Sequence, residues 1–328
     1  RKRNSSKDGV TMIYQIAAPA TLSNFGPGFD TLGMAIDRYL KIKLETGEGI
    51  VDYELSLAGE YPAPAKEDNI VFKMLRQHCK KPFRMSVVND IPVKRGLGSS
   101  SAALACALGL IQILKFEQEG LDVKNLDRGS LAEMVKHAIF NEAIAEEGHP
   151  DNITPCLFGG FVTARVDKKE GSFLNIPFPK YIAVNLLVPA FETETKMARG
   201  ILPPDYKLSD AVKNLQNLSF MVANFCLNSD NAEKRPIFYG LKNLLKDYLH
   251  QDYRVKLCPS CGDAIKILNE SDKIMGAFLS GSGTTVCALA EPEEAAGVFK
   301  NAAHIFKAQN IEVRHHTHKI EYNGLRIL

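Results

Sequence analysis

The chain has 328 residues, enough for two domains or one large one with a sizeable core. Apolar residues at 45% and charged residues at 24% exclude the disordered, collagenous and coiled-coil classes. With Lys and Arg numbering 40 against 38 Asp and Glu, the net charge is +2, so no charge excess points to a nucleic acid or a membrane surface as partner.

The first residues, Arg1–Gly9, are basic but lead into no apolar h-region or cleavage site, and are expected to be a solvated tail on a cytoplasmic protein. The β-forming segments Met12–Ile16, Tyr39–Glu45, Asp52–Leu57 and Phe83–Val88, parted by turns rich in Gly and Pro, predict strands of an N-terminal sheet. Between the first two, Ala18–Gly33 threads polar side chains through glycines, and Asn24 and Asp30 there suit either a polar ligand or Asx-turns. Pro92-Val-Lys-Arg-Gly96-Leu97-Gly98-Ser99-Ser100-Ser101 follows the fourth strand. Its glycines fold the backbone tightly at the start of a helix, whose positive end adds to the exposed N–H groups, and this predicts a phosphate cradle. The pattern is neither GxxxxGK[ST] nor GxGxxG.

The apolar run Ala102–Leu114 predicts a buried helix, short of the roughly 20 residues that span a bilayer. A second helix is expected from Ser130, with Ser130 and Glu133 as a capping box and Leu131, Met134, Val135, Ala138 and Ile139 as its apolar face. At about 100° per residue Glu142 falls about 20° from Leu131, and Glu147 about 160° away. Glu142 is therefore expected to point inward, where a buried carboxylate beside a phosphate loop calls for a cation such as Mg²⁺. Gly148-His149-Pro150-Asp151-Asn152 then sets three polar side chains beside apolar structure, which suggests a site.

A polar stretch, Asp167–Lys180, is the expected domain boundary, dividing 1–170 from 171–328. Beyond it a buried strand at Ile182–Val188, helices at Asp210–Leu227, Leu241–Leu249 and Glu293–Gln309, and strands at Met275–Leu279, Thr285–Leu289 and near the C-terminus give interleaved helices and strands, an α/β class in two layers. The loop Ser280-Gly281-Ser282-Gly283-Thr284 either approaches a ligand or turns a hairpin. Seven cysteines in mostly apolar surroundings suit a reducing compartment. The single CxxC at Cys258 and Cys261 lacks the second pair of a zinc site and reads as structural.

Together these segments resemble the GHMP kinases, small-molecule kinases that include the galactokinases, homoserine kinases and mevalonate kinases. Gly96-Leu97-Gly98-Ser99-Ser100 is similar to their phosphate-binding motif and Leu279–Gly283 to their third motif. Pro19–Gly33, Gly148–Asn152 running on to Phe161, Thr195–Pro203 and His250–Pro259 make the chain most similar to the homoserine kinases.

The resemblance implies a GHMP kinase fold, with an N-terminal domain like domain 2 of ribosomal protein S5 and a ferredoxin-like C-terminal domain, and ATP-dependent phosphorylation of L-homoserine in threonine biosynthesis. A kinase of another small alcohol and a non-catalytic nucleotide-binding regulator are the alternatives. It further implies that Asn24, Asp30, His149, Arg199 and Arg254 hold homoserine. ATP would meet Asn69, Pro92, Gly96, Leu97, Gly98, Ser99, Ser100, Ser101, Gly281, Ser282 and Gly283. Ser100 and Glu142 would hold Mg²⁺, and Asp151, Asn152 and Ser100 would serve the reaction, Asp151 orienting the acceptor hydroxyl more than abstracting its proton. Two arginines suit a carboxylate and Asp30 an ammonium. A homodimer is implied by analogy. Thr284 stands where the family commonly has Pro, and the helix before His149 is about one residue short, which leaves Glu147 as the rival metal ligand.

Overall fold

The computed structural model describes residues 11–229, 238, 240–291 and 296–328. The tail Arg1–Gly9 and the start of the helix expected from Glu293 lie outside them. Eleven strands and ten helices are arranged around two sheets among the described residues.

Strand β1 (Met12–Ser23) pairs antiparallel with β2 (Leu32–Thr46) along its whole length. Both run well beyond the β-rich segments of the sequence, because Ala17–Ser23 is alanine-rich and holds a proline, a composition that β propensity scores poorly. The register shifts between Pro19 and Ala20, where the missing N–H makes an irregularity cheap. β3 (Glu54–Ala58) lies parallel to β4 (Phe83–Asn89), and helix α1 (Ile70–His78) makes the crossover that a parallel pair requires. The long strand β2 pairs β4 through Leu40–Thr46 and β5 (Phe161–Asp167) through Leu32–Met34.

β6 (Glu170–Ile176) forms a hairpin with β5. The expected boundary at 170 therefore cuts a hairpin, and the first sheet ends only after Ile176. The chain also returns to it: β11 (Arg326–Ile327) pairs with β1.

Helix α2 (Ser99–Gln118) is long and apolar enough to pass for a membrane span by length and composition. Its residues Ala102, Leu104–Ile111 and Ile113 are instead buried in the protein core. α3 (Arg128–Glu147) begins one turn earlier than expected, because Asp127 and not Ser130 is its cap, accepting from the Ser130 N–H at 2.9 Å. α4 (Pro150–Phe158) follows after Gly148 and His149.

The second sheet is antiparallel throughout, in the order β10 (Val313–His318), β7 (Ala183–Pro189), β9 (Val286–Ala290), β8 (Gly276–Leu279). With helices between β7 and β8 and between β9 and β10, this is the βαββαβ, ferredoxin-like order. Its intervening helices are α5 (Thr195–Gly200), α6 (Leu208–Asn228), α7 (Leu241–Leu244), α8 (Gln251–Arg254) and α9 (Pro259–Glu270), and α10 (Ala296–Ala308) follows β9. The helix expected over Leu241–Leu249 is thus only one turn, ended by a run whose backbone N–H groups at Leu249 and His250 are taken by the buried Asp247 carboxylate.

The two sheets share one core. Phe25, in the β1–β2 loop, packs at ring distances of 4.5 Å, tilted, between Phe161 of the first sheet and Phe278 of the second, and Phe161 packs on Phe225 of α6. Burying such rings at roughly 25 cal/mol per Å² of apolar surface fixes this loop against both halves, and the loop carries Asn24 and Asp30 to the cleft between them.

Candidate active site

The segment Lys94–Ser101 turns into α2 through Gly98, the helix N-cap at φ 64°. Only glycine adopts this without strain, and a Cβ there would collide with the Thr21 hydroxyl. No side chain caps the helix, so its first N–H groups face the cleft. The carbonyls of the loop are occupied on the other side: Leu97 O accepts from Thr21 N at 3.2 Å, Gly96 O from the Ser280 hydroxyl at 2.6 Å, and Arg95 O from Thr285 N at 3.2 Å. With its acceptors tied to the scaffold and its donors turned to the cleft, the loop is a nest for anionic oxygen. Gly96 leaves no room for a side chain, because a Cβ would strike the Ser280 carbonyl of the facing loop.

Two clefts meet at this loop. One, polar, is lined by Asn24, Asp30, His149, Asp151, Asn152, Arg199 and Arg254 with the loop itself. The other is lined largely by apolar groups, among them Pro64, Ile70, Val71, Val87 and Ala103, with Asn69 at its edge. Lys94, Ser99, Ser100 and Thr195 border both. Asn69 is there chiefly as the N-cap of α1, accepting from Phe72 N at 3.1 Å and donating to Pro64 O at 3.3 Å.

In the polar cleft Arg199 grips Asp30 with both guanidinium nitrogens, at 2.7 and 3.1 Å. Arg254 is buried and donates to Gly281 O at 2.7 Å and to Ala198 O at 3.3 Å. Burial, and secondly the charge of Arg199, lower its pKa to about 10, still cationic at neutral pH. The Phe29 ring lies 5.7 Å from one guanidinium and 5.2 Å from the other, so its π face and the Asp30 charge offset the repulsion of two neighbouring cations. Asn24 joins the halves: its amide donates to Gly281 O and its oxygen accepts from Asp30 N, each at 3.1 Å.

Asp151 is buried in the first turn of α4, where Pro150 and an acidic residue suit the helix start. Its carboxylate is 3.1 Å from His149 Nδ1. Burial opposes the imidazolium, but the Asp151 hydrogen bond and charge outweigh it, and the His149 pKa is raised above 6.5. Asn152 faces the strand instead, accepting from the Thr21 hydroxyl at 2.8 Å and donating to the Ser23 hydroxyl at 3.0 Å.

Glu142 corrects the sequence reading. It is exposed and lines neither cleft, whereas Glu147 lines the polar one and accepts from the Ser101 hydroxyl at 2.7 Å. Burial raises the Glu147 pKa, against the lowering effect of that hydrogen bond. Leu131 lies at one edge, not at the centre, of the buried face, which is made by Leu131, Ala132, Val135, Lys136, Ile139, Phe140, Ala143 and Ile144. Its centre is about 110° from Leu131, leaving Glu147 about 50° and Glu142 about 90° away. Met134 and Ala138 are exposed; the buried Lys136 takes a place on that face by donating to Glu133 and to Asn323 O at 2.6 and 2.7 Å.

Of the other expected site residues, Gly281 and Ser282 reach the polar cleft, while Pro92 and Gly283 line neither cleft. Thr21, Ser23, Lys94, Arg95 and Thr195 are not among the expected site residues; Lys94 and Arg95 stand inside the cradle segment, and the other three lie in the segments Pro19–Gly33 and Thr195–Pro203 without a side-chain signal of their own.

Residues 67–160 match the family model "GHMP kinases N terminal domain" and residues 232–308 the model "GHMP kinases C terminal". The chain is 33% identical to the homoserine kinase of Carboxydothermus hydrogenoformans over 290 residues, 86% of each chain. It is equally 33% identical to that of Thermus thermophilus over 303 residues, 88% of this chain and 90% of the other. A crystal structure of homoserine kinase from Cytophaga hutchinsonii superposes with a TM-score of 0.72 at 24% identity, covering 100% of both chains.

Proposed function

The chain belongs to the homoserine kinases of the GHMP kinase family, and from that premise we propose how its residues divide the work of an ATP-dependent kinase that phosphorylates the side-chain hydroxyl of L-homoserine, a step of threonine biosynthesis. The observation that carries the division is the cradle standing between an apolar and a polar cleft, with Ser99 and Ser100 bordering both. The apolar cleft takes the purine, the N–H groups of Gly96–Ser101 take the phosphates, and the polar cleft takes the acceptor.

Homoserine presents a carboxylate and an ammonium. Arg199 and Arg254 meet the first, and Asp30, paired with Arg199, meets the second. Because Arg199 and Asp30 are half-exposed, their mutual pairing is exchanged for substrate at little cost. The acceptor hydroxyl then lies toward Asp151 and the cradle. Holding it in line with the γ-phosphoryl group is the main contribution, because the transition state is loose and asks mostly for positioning and charge stabilisation.

Mg²⁺ fits the donors present. The Glu147 carboxylate is half-buried beside the cradle with Ser101 as its one hydrogen-bonding side chain, surroundings in which a divalent cation compensates a charge. Glu147 and Ser100 would hold it; bound there, it neutralises phosphate charge. The reading extends to a cytoplasmic location and to a homodimer, and sedimentation velocity tests the second.

ADP release measured with homoserine, serine, mevalonate and galactose tests the assignment. Turnover confined to homoserine supports it, and indifference to homoserine overturns it.

A further inference from the structure

Cys258 is the N-cap of α9 and Cys261 stands in its first turn. Cys261 N donates to Cys258 O at 2.9 Å, so the two cysteines share one turn, and the Cys261 thiol donates to Thr284 O at 3.1 Å. Thr284 belongs to the loop that braces the phosphate cradle: Ser280 donates to Gly96 O and Thr285 N to Arg95 O. A change of state at Cys261 is thus one residue from the cradle's own hydrogen bonds. Neither sulfur is drawn into a metal site, since among the described residues the grouping of three metal-capable side chains is Asp30, His149 and Asp151, in the polar cleft.

We propose that Cys258 and Cys261 form a reversible, peroxide-sensitive dithiol site whose oxidation to a disulfide loosens the loop that braces the phosphate cradle. Cys258 is the nucleophile. Its contact with Cys261 lowers its thiol, against burial, to about 7, while the same contact and burial raise Cys261; a thiolate fraction is present at neutral pH. With Cys258 only 5% exposed and Cys261 0%, a protein disulfide does not reach them and the oxidant is a small hydroperoxide. The Cys258 thiolate attacks one oxygen of H₂O₂, the O–O bond breaks, and hydroxide leaves a sulfenic acid. The Cys261 sulfur then attacks Cys258, its proton leaving with the sulfenic oxygen as water. The disulfide has no S–H, so the Thr284 carbonyl loses its donor.

The test uses the full-length enzyme titrated with H₂O₂. Intact mass and alkylation of the peptide Leu257–Lys266 report the thiols, and the exposed Cys226 is the internal comparison. The expected result is loss of two hydrogens within that peptide before any change in turnover at saturating ATP. The KM for ATP should rise by roughly three- to tenfold, the effect of one lost hydrogen bond to a backbone carbonyl, and dithiothreitol should reverse both. Cys258→Ser should abolish both responses. Oxidation at Cys226 alone, or a disulfide that leaves the KM for ATP unchanged, overturns the proposal. The mass readout is independent of the substrate, so its failure is separable from failure of the kinase assignment.

Discussion

Replacing Glu147 by Gln separates two consequences of one half-buried carboxylate. Its oxygen takes a hydrogen bond from Ser101 at 2.7 Å, yet burial still raises its pKa, so desolvation outweighs the bond when no cation is bound. A group whose folded pKa is raised lends stability while protonated, and that stability is lost as pH rises through the folded value, above the ordinary carboxylate range near 4.5. Gln keeps the shape and an acceptor for Ser101 without the charge. Without metal, Glu147→Gln should therefore be more stable than wild type at pH 7 by about 0.5–2 kcal/mol, the range of common single stabilising substitutions. For a chain of this size that raises Tm by a few degrees. The advantage should shrink toward pH 4. Turnover should move the other way, with kcat lower and the Mg²⁺ needed for half-maximal rate about 10–100-fold higher. Scanning calorimetry at several pH values and a Mg²⁺ titration of ADP release read the two effects. Glu142→Gln, on an exposed carboxylate, should change neither. A Tm advantage independent of pH, or a Mg²⁺ response to Glu142→Gln instead, would refute the reasoning.

Arg199→Lys replaces the fork on Asp30 by a single ammonium; the KM for homoserine should rise about 10-fold or more with that for ATP unchanged. Gly98→Ala, at φ 64° and against Thr21, should lose at least 1–2 kcal/mol of stability from backbone strain alone, measured by urea unfolding, together with ATP affinity. The raised pKa of His149 predicts stability that is full below pH 6.5 and lost as pH rises through the folded value. The Tm difference between wild type and His149→Gln should narrow accordingly above neutrality.

What could be read in the sequence was local. Gly96 and Gly98 carry their conformational requirement with them, and the apolar run after Ser101 is interior, so the tight loop and its helix were legible together. The strands β1 and β2 were read short because Ala17–Ser23 is held in the sheet by neighbours on both faces and not by its own preference. Glu147 stands second to Glu142 in the sequence because a helix has no edge mark there: the same residues fit a face centred on Leu131 or one turned by about 110°, and the packing of α2, α4, β6 and β11 against α3 chooses between them. The joining role of Asn24, whose partner Gly281 is 257 positions away, has no local signature at all.

The path of the acceptor's proton is the point at which geometry and chemistry test each other most directly. Asp151 has one oxygen engaged by His149 at 3.1 Å, which fixes the carboxylate's direction and leaves its other oxygen to orient an acceptor hydroxyl. In a loose transition state the hydroxyl becomes acidic late, when phosphate oxygens can take its proton themselves. General-base catalysis contributes about 10²–10⁴-fold where it operates. Asp151→Asn keeps an oxygen for His149 and for the acceptor hydroxyl. It should therefore lower kcat by less than about a hundredfold and leave the acidic limb of the pH–rate profile in place, since that limb disappears only with a group whose own ionisation sets the rate. A larger fall in kcat at unchanged KM for homoserine, with loss of the limb, would identify Asp151 as the base and make His149 the residue that holds it ready.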